Sequence, residues 1–255
     1  MGRKVGKCYL WHEGTAKRGA NEVASCVYDF IKDQSSKGVQ TINLYSDNCG
    51  GQNRNRIVFM MYLIAAKKFN VNISHKFLEK GHTQNENDSI HALIERSSKN
   101  KEIYTPDQWF ALVRWAKDTG NPYIVKEVSI EDILDFKKLL AGKNWTKDER
   151  NLKVMWSRVR EIHVSSTEPD VLKYKNKFDE PYRRIFVRRS QSRRLQNQPD
   201  DELSQAYTGP LPIPNAKLID LMYLCENNII PRQYHGFYNS LTSGDVIVSS
   251  SDEEK

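Results

Sequence analysis

The first residue whose position could serve chemistry is Asp47, which closely follows an apolar stretch. Residues 39–44 are typical of a buried strand, and residues 56–68 are long and apolar enough for a buried helix. Open α/β sheets place ligands and metal ions at the carboxyl ends of their strands, which is where this strand–loop–helix unit puts Asp47. An aspartate between a strand and a helix can also serve only as the helix cap. This segment alone therefore predicts either a functional carboxylate or a capping residue.

A second polar group lies at the start of another predicted helix. A short strand at residues 71–78 leads towards it, and Asn87 or Asp88 is a suitable first residue for the helix. Asp88, His91 and Glu95 would then share one face, because residues three and four positions apart are neighbours on a helix surface. The buried stripe of the same helix would consist of Ile90, Leu93 and Ile94.

Asp47 and Asp88 are the carboxylates that we expect to meet across the edge of the sheet. Two carboxylates that converge in this way can hold Mg²⁺ or Mn²⁺, since these hard ions prefer oxygen ligands. The sequence therefore predicts a divalent-cation site with these two aspartates as ligands.

Two motifs resemble the ribonuclease H-like core of transposase-derived proteins that are abundant in invertebrate genomes. The first is Ser-Asp-Asn-Cys-Gly-Gly-Gln-Asn-Arg-Asn at residues 46–55, and the second is Gly-His-Thr-x-x-x-x-Asp-x-x-His at residues 81–91. Residues 10–26 and 211–238 are similar to the same group. The resemblance thus covers most of the chain.

The resemblance implies the two-metal chemistry of enzymes that cut and join DNA strands. In that chemistry three carboxylates, on the first strand, the fourth strand and a late helix, hold two divalent ions about 4 Å apart. Asp47 matches the fourth-strand position, and Asp88 is our choice for the helix position. The weaker candidates for metal ligands are Glu86, Glu95 and His91. His82 and His91 would support the ligands or contact nucleic acid, although a lone helical histidine is more often structural.

The beginning of the chain departs from this family pattern. Before the strand predicted at residues 7–11 the fold requires two further strands, the first of which carries the first carboxylate. Residues 1–6 contain no acidic side chain, and Glu13 and Glu22 lie after the required position. We therefore expect an N-terminally truncated and catalytically incomplete copy of a longer transposase-like protein.

Positive charge is concentrated in one short segment. The chain has a net charge of +7 and a pI of about 9.1, which favours a polyanionic partner such as nucleic acid. Six of the twelve residues at 183–194 are arginines, which suits phosphate contacts or nuclear import. A solvated basic loop without a ligand has the same composition. The arginines that we expect to contact DNA, without sequence preference, are Arg184, Arg188, Arg189, Arg193 and Arg194.

The rest of the composition favours a nuclear or cytoplasmic location. No apolar run approaches the length of a membrane span, and the first residues lack the apolar core of a signal peptide. The four cysteines are scattered without CxxC spacing, so we expect reduced thiols, no zinc site and no disulfide partner.

The predicted fold class is α/β, with a partial ribonuclease H-like core in the order strand–helix–strand–helix–strand–helix. The predicted parts are the truncated core at residues 1–118, a small α+β region at 119–190, a flexible basic and polar linker at 191–210, a C-terminal helical segment at 211–245 and a disordered acidic tail at 246–255. The further elements predicted are helices at 21–34, 106–117, 130–140, 215–227 and 232–241, and strands at 123–128, 156–164 and 185–187.

Three functions are compatible with these patterns. The first is a transposase-derived protein that has lost catalysis and retains nucleic-acid binding. The second is an active DNA strand-transferase or nuclease in a longer gene product. The third is a protein-interaction module that uses the C-terminal helices. The motifs and the missing first carboxylate favour the first.

Overall fold

A computed structural model describes residues 5–47, 49, 52–78, 86–117, 119–187 and 202–244, without the side chains of residues 86 and 87. The helices are α1 (Ala20–Ser36), α2 (Arg56–Phe69), α3 (Glu86–Ser98), α4 (Pro106–Arg114), α5 (Asn215–Glu226) and α6 (His235–Asn239). The strands are β1 (Lys7–Leu10), β2 (Thr41–Ser46), β3 (Asn72–Phe77), β4 (Ile124–Glu127), β5 (Glu161–Val164), β6 (Val171–Lys175), β7 (Arg183–Phe186), β8 (Ile213–Pro214) and β9 (Ser243–Gly244). The predicted α/β class is confirmed, and the elements from β1 to α3 follow the predicted strand–helix order.

The described residues divide into two units, and each unit draws on separated parts of the chain. The sheet unit comprises those within 18–78 and 133–206, and the helical unit comprises those within 5–17, 86–132 and 207–244. This division differs from the predicted boundaries after residues 118 and 190. One reason is that β1 pairs in parallel with β4, so the start of the chain is joined to a strand beyond residue 118.

The sheet unit is built on five strands in the order β2-β3-β5-β6-β7. β2 and β3 are parallel, with α2 connecting them, whereas β3, β5, β6 and β7 are antiparallel neighbours. Side chains alternate between the two faces of a strand, which is why Ile73, His75 and Phe77 of β3 are all buried. The sheet therefore has a parallel half, β2 and β3, and an antiparallel half, β5 to β7.

Helix α2 is buried on every side. All ten residues from Ile57 to Ala66 are buried, in keeping with an apolar run that leaves no polar face. The Asn55 side chain caps its first turn by accepting a hydrogen bond from the Ile57 N–H at 2.8 Å. Asn70 ends it in the left-handed conformation, with φ of 53°. These capping residues fix both ends of the helix.

Helix α1 packs on α2 through one apolar face. Ala24, Tyr28 and Ile31 recur at helical spacing and are buried, whereas Lys32 is exposed. The core of the sheet unit combines this face with α2 and the inward side chains of β3, β5, β6 and β7.

The helical unit has a smaller core. Cys225, Ile230 and Tyr238 are buried together between α5 and the segment around α6. Ile219 and Tyr223, one turn apart on α5, remain 68% and 59% exposed. None of the helices among the described residues is long and apolar enough to cross a membrane.

Two predicted helices are wrong in part, and one strand was missed. The helix predicted at 130–140 is two 3₁₀ turns, Ile130–Asp132 and Lys137–Leu140. There the Asp135 carboxylate accepts a hydrogen bond from the Lys138 N–H at 3.1 Å, a local bond that competes with helix formation. The helix predicted at 232–241 is a 3₁₀ turn followed by the short α6, and the strand β6 was not predicted.

Candidate functional site

Asp47 lies just beyond β2, at one end of the five-stranded sheet. Ser46 pairs with Phe77, the last residue of β3, and β5 begins beside the same end with Glu161. Because β6 runs antiparallel to β5 and β7 antiparallel to β6, β6 ends there and β7 begins there. We call this the Asp47 end of the sheet. Five strand ends meet at it, so residues far apart in sequence are placed together.

The Asp47 carboxylate is exposed and organises its own loop. Its Oδ1 accepts hydrogen bonds from Asn53 Nδ2 at 2.6 Å and from the Cys49 N–H at 3.3 Å. Asn55, rather than Asp47, caps α2. The interpretation of Asp47 as the helix cap is therefore wrong, and its carboxylate stays at the surface.

A buried chain of hydrogen bonds supports the backbone at this position. The Tyr62 hydroxyl lies 3.0 Å from His75 Nδ1, and His75 Nε2 lies 2.9 Å from Ser46 Oγ. Ser46 Oγ in turn donates to the Asp47 carbonyl oxygen at 2.8 Å. A helix, a neighbouring strand and β2 itself thus hold the peptide that carries Asp47. We call these three side chains the buried relay.

The relay has a single consistent direction. Burial lowers the pKa of His75 to about 4, so its imidazole is neutral and only one ring nitrogen carries hydrogen. Since Ser46 donates its proton to Asp47, His75 Nε2 must donate to Ser46, and Nδ1 must accept from Tyr62. Burial also raises the pKa of the Tyr62 hydroxyl, which keeps it a donor.

Sequence reasoning missed the relay. The available signal was the alternation of Ile73, His75 and Phe77, which places a histidine on the buried face of β3. A buried histidine needs hydrogen-bond partners, but the sequence does not identify Tyr62 and Ser46 as those partners.

Two arginines bring positive charge to the same end. Arg54, in the loop after Asp47, donates from Nη1 to the Ser157 carbonyl oxygen at 2.8 Å. Arg160 lies directly before β5, and its carbonyl oxygen accepts from the Phe77 N–H at 2.9 Å. Burial lowers the pKa of Arg54, and the nearby Arg160 guanidinium lowers it further. Two cations thus lie close to each other at the Asp47 end of the sheet.

A concave surface of about 840 Å³ adjoins these arginines in the sheet unit. The segment before β5 and the connection between β6 and β7 form its walls, and we call it the basic groove. Its cationic side chains are Lys153, Arg158, Arg160, Lys177 and Arg183, and its acidic side chains are Asp179 and Glu180. Positive charge therefore predominates on its surface.

The segment around the predicted DNA-contacting arginines is described only at its beginning. Arg184, on β7, is exposed, and its Nη2 lies 3.8 Å from Glu168 Oε1. The other four predicted arginines, Arg188, Arg189, Arg193 and Arg194, lie outside the described residues.

The predicted helix ligands lie on α3, in the helical unit. Asp88, His91 and Glu95 are exposed, whereas the predicted stripe of Ile90, Leu93 and Ile94 is partly buried, so the two faces of α3 are as predicted. Glu86 begins the helix, but its side chain and His82 lie outside what the structure describes. Asp47 belongs to the sheet unit and Asp88 to the other.

The described residues do not fit a two-metal centre. Among them, no three histidine, cysteine, aspartate or glutamate side chains are grouped so that they could share a metal ion. Glu161 lies at the Asp47 end but is 6% exposed, and its Oε1 accepts the Tyr182 hydroxyl at 2.7 Å. Asp47 offers a hard oxygen ligand, whereas the thiol of Cys49 is a poor ligand for Mg²⁺. Among the described residues, Asp47 is therefore not grouped with two further ligands that could hold Mg²⁺ or Mn²⁺.

None of the four cysteines, all of which lie among the described residues, forms a disulfide bond.

Comparison with known proteins gives one match. A family model described as a domain of unknown function, DUF7869, matches residues 1–177. No curated protein and no solved structure matches the chain. The matched region contains Asp47, the buried relay and α3, whereas the arginine-rich segment and the C-terminal helices lie beyond it.

Proposed function

The chain belongs to the DUF7869 family, and we propose that it binds nucleic acid at the Asp47 end of the five-stranded sheet. The observation that carries the proposal is the cationic surface at that end of the sheet, which Arg54, Arg160 and the basic groove provide. The Arg160 guanidinium helps to lower the pKa of Arg54, and a phosphate bound beside Arg54 would stabilise its cationic form. Arginine is well suited to this role, because its planar guanidinium can bind phosphate oxygens in pairs.

The overall charge supports the same partner. A net charge of +7 attracts polyanions at long range, and counterion release then favours binding to DNA or RNA. Arg184 and the arginines that follow it would add contacts along the phosphate backbone. These contacts carry no sequence information, so we expect weak discrimination between sequences.

We further propose that the protein derives from a metal-dependent transposase or nuclease. The support is the resemblance of residues 46–55 and 81–91 to the ribonuclease H-like pattern, together with the place of Asp47 beyond a parallel strand. Because no three potential metal ligands are grouped among the described residues, we expect this chain to bind DNA without cutting it. An active strand-transferase or nuclease in a longer gene product is the alternative.

A second candidate function is a protein-interaction module. Ile219 and Tyr223 expose large apolar surfaces on one face of α5, which is typical of a contact site. This function predicts that replacing both by serine abolishes a protein contact and leaves nucleic-acid binding unchanged.

The decisive experiment measures binding and cleavage of labelled duplex DNA by the full chain, with and without Mn²⁺, beside the Asp47→Asn variant. We expect salt-sensitive binding by both proteins and cleavage by neither. Cleavage lost in the variant would support the active-enzyme alternative. Absence of binding at low salt would contradict the proposal.

The predicted arginine segment has its own test. Replacing Arg188 and Arg189 by alanine should reduce the slope of log affinity against log salt by roughly 2, about 0.9 for each phosphate that is no longer neutralised. An unchanged slope would remove these arginines from the interface. For the cell, we propose a nuclear or cytoplasmic location, which a fluorescent fusion of the full chain would reveal.

A further inference from the structure

The basic groove carries more positive charge than its own acids balance. Arg183 is partly neutralised, since its Nη2 lies 3.9 Å from Glu180 Oε2. By contrast, Lys153, Arg158 and Lys177 form no ion pair with any residue that the structure describes. Three cations in one concavity repel one another and favour an anionic ligand.

An aromatic ring stands among these cations. Phe178 follows Lys177 in the β6–β7 connection, lines the groove and is 49% exposed. Met155, on the opposite segment before β5, is 45% exposed and also lines it. Exposed apolar side chains of this size within a cationic recess indicate a ligand with a flat apolar part as well as negative charge.

One of the side chains that line the groove, Tyr174, is buried. Tyr174, on β6, is buried and donates its hydroxyl to Asp148 Oδ2 at 3.2 Å. Burial alone would raise the pKa of Asp148, but hydrogen bonds from the Leu152 and Arg150 N–H groups and from Tyr174 outweigh it and lower that pKa. The Asp148 carboxylate thus holds the side chain of Tyr174, which lines the groove, by a hydrogen bond.

We propose that the basic groove binds a short single-stranded segment of DNA or RNA, with phosphates against Lys153, Arg158 and Lys177 and a base stacked on Phe178. The inference rests on the proposed function and specifies the form of nucleic acid. Bases in a duplex are stacked on each other and cannot cover Phe178, whereas bases of a single strand are free to do so. A recess of about 840 Å³ is within the usual size of small-ligand sites, which suits a few nucleotides.

The stacking part of the proposal is tested by one aromatic substitution. The full chain is titrated into a fluorescein-labelled single-stranded oligonucleotide of mixed sequence, and anisotropy reports binding. Phe178→Ala should weaken binding about 10-fold, because stacking one base on an aromatic ring contributes roughly 1–3 kcal/mol. The matched control is Phe186→Ala, since Phe186 is 50% exposed on β7 but does not line the groove. That variant should bind as the unaltered chain does.

The phosphate contacts are tested by the salt dependence of the same titration. The double variant Lys153→Ala/Arg158→Ala should reduce the slope of log affinity against log salt by about 1.4, which is about 0.7 for each single-strand phosphate. The control Lys32→Ala/Lys68→Ala removes the same charge from exposed positions on α1 and α2 and should leave the slope nearly unchanged. All four side chains are exposed, so circular dichroism should be unaltered.

The outcomes separate this inference from the proposed function. Binding that is weakened by Phe178→Ala for the single strand, but not for a hairpin duplex, supports the inference. Binding that none of the groove variants alters overturns the inference and leaves nucleic-acid binding in place elsewhere. No binding of either form at low salt overturns both. Equal affinity for a sulfated polysaccharide, with no effect of Phe178→Ala, would identify a general polyanion surface and also overturn it.

Discussion

The two halves of the five-stranded sheet carry polar chemistry in opposite ways. In the parallel half, His75 is buried, and Tyr62 and Ser46 hold it by hydrogen bonds that end at Asp47. In the antiparallel half, the basic groove displays side chains that are largely exposed. The parallel half holds the peptide that carries Asp47 by buried hydrogen bonds, and the antiparallel half presents several exposed cations.

This difference predicts that substitutions in one half change the stability of the fold and that substitutions in the other change ligand binding. A buried polar side chain that loses its partner is costly, so changes in the relay should act on folding. Replacing an exposed cation changes the stability of the fold only slightly, so substitutions in the groove should affect ligand binding instead. Substitutions in the two halves should therefore have effects of different kinds.

The largest effect should distinguish two phenylalanines. Phe59 on α2 is 1% exposed, so Phe59→Ala leaves a cavity and should lower the free energy of unfolding by about 3–5 kcal/mol. Phe178→Ala, at the surface of the groove, should change it by no more than about 0.5 kcal/mol. Urea denaturation of both variants measures the two changes in the free energy of unfolding. Similar losses in the two variants would contradict the prediction.

The next effect is a pH dependence of stability. The pKa of His75 is lowered to about 4 in the folded chain, against 6.5 when it is unburied. The unfolded chain therefore binds a proton between these values that the folded chain does not, so stability is full above about pH 6.5 and falls as the pH drops towards 4. We expect a loss of roughly 3 kcal/mol from this group, measured by urea denaturation across that range.

A substitution at His75 identifies the source of that loss. His75→Gln should be less stable at pH 7.5 but should lose less stability on acidification than the unaltered chain. His163, whose pKa is lowered by burial and by Lys173, contributes in the same direction in both proteins, so the difference between them isolates His75. Parallel pH curves would show that the relay does not control acid sensitivity.

A smaller effect should separate two adjacent residues at the Asp47 end. Ser46→Ala removes the acceptor of the His75 Nε2 hydrogen and should cost about 1–2 kcal/mol of stability. Asp47→Asn keeps an oxygen that can accept from Asn53 and should cost at most about 0.5 kcal/mol. Denaturation of the two variants side by side gives the comparison, and the reverse order would mean that the loop, rather than the relay, stabilises this end of the sheet.

The smallest effect on stability is expected at Arg184. Its ion pair with Glu168 is 3.8 Å long and half exposed, so Arg184→Ala should change stability by less than about 0.5 kcal/mol. The same variant should reduce the salt slope of duplex DNA binding by about 0.9 if the arginine neutralises one phosphate. A destabilised variant with an unchanged slope would assign Arg184 to the fold instead.

Long apolar patterns made much of the sheet unit predictable. The run at 56–68 is long and apolar enough to predict a buried helix, and α2 occupies Arg56–Phe69. The helix predicted at 130–140 failed because side chains such as Asp135 bond to the backbone locally, which periodicity does not reveal. The strand β6 was missed although Leu172 and Tyr174 alternate, because its five residues are a short signal.

The candidate site was predictable only where it is local in sequence. The loop after β2 follows from a strand, an aspartate and a helix in succession, so Asp47 could be placed at a strand end. The relay and the groove depend on pairings between strands that are distant in the chain. Lys153 and Lys177 share a groove because β5 and β6 pair antiparallel, a fact that spacing does not encode.

Helix α2 has a consequence for which sequences this chain can tolerate. From Ile57 to Ala66 no position faces water, so no substitution by a charged residue can be accommodated by turning it outward. Ten consecutive positions of this helix therefore cannot be replaced one by one with charged residues. The loop that carries Asp47 leads directly into this helix, so the loop is attached to a segment whose positions cannot take a charged side chain.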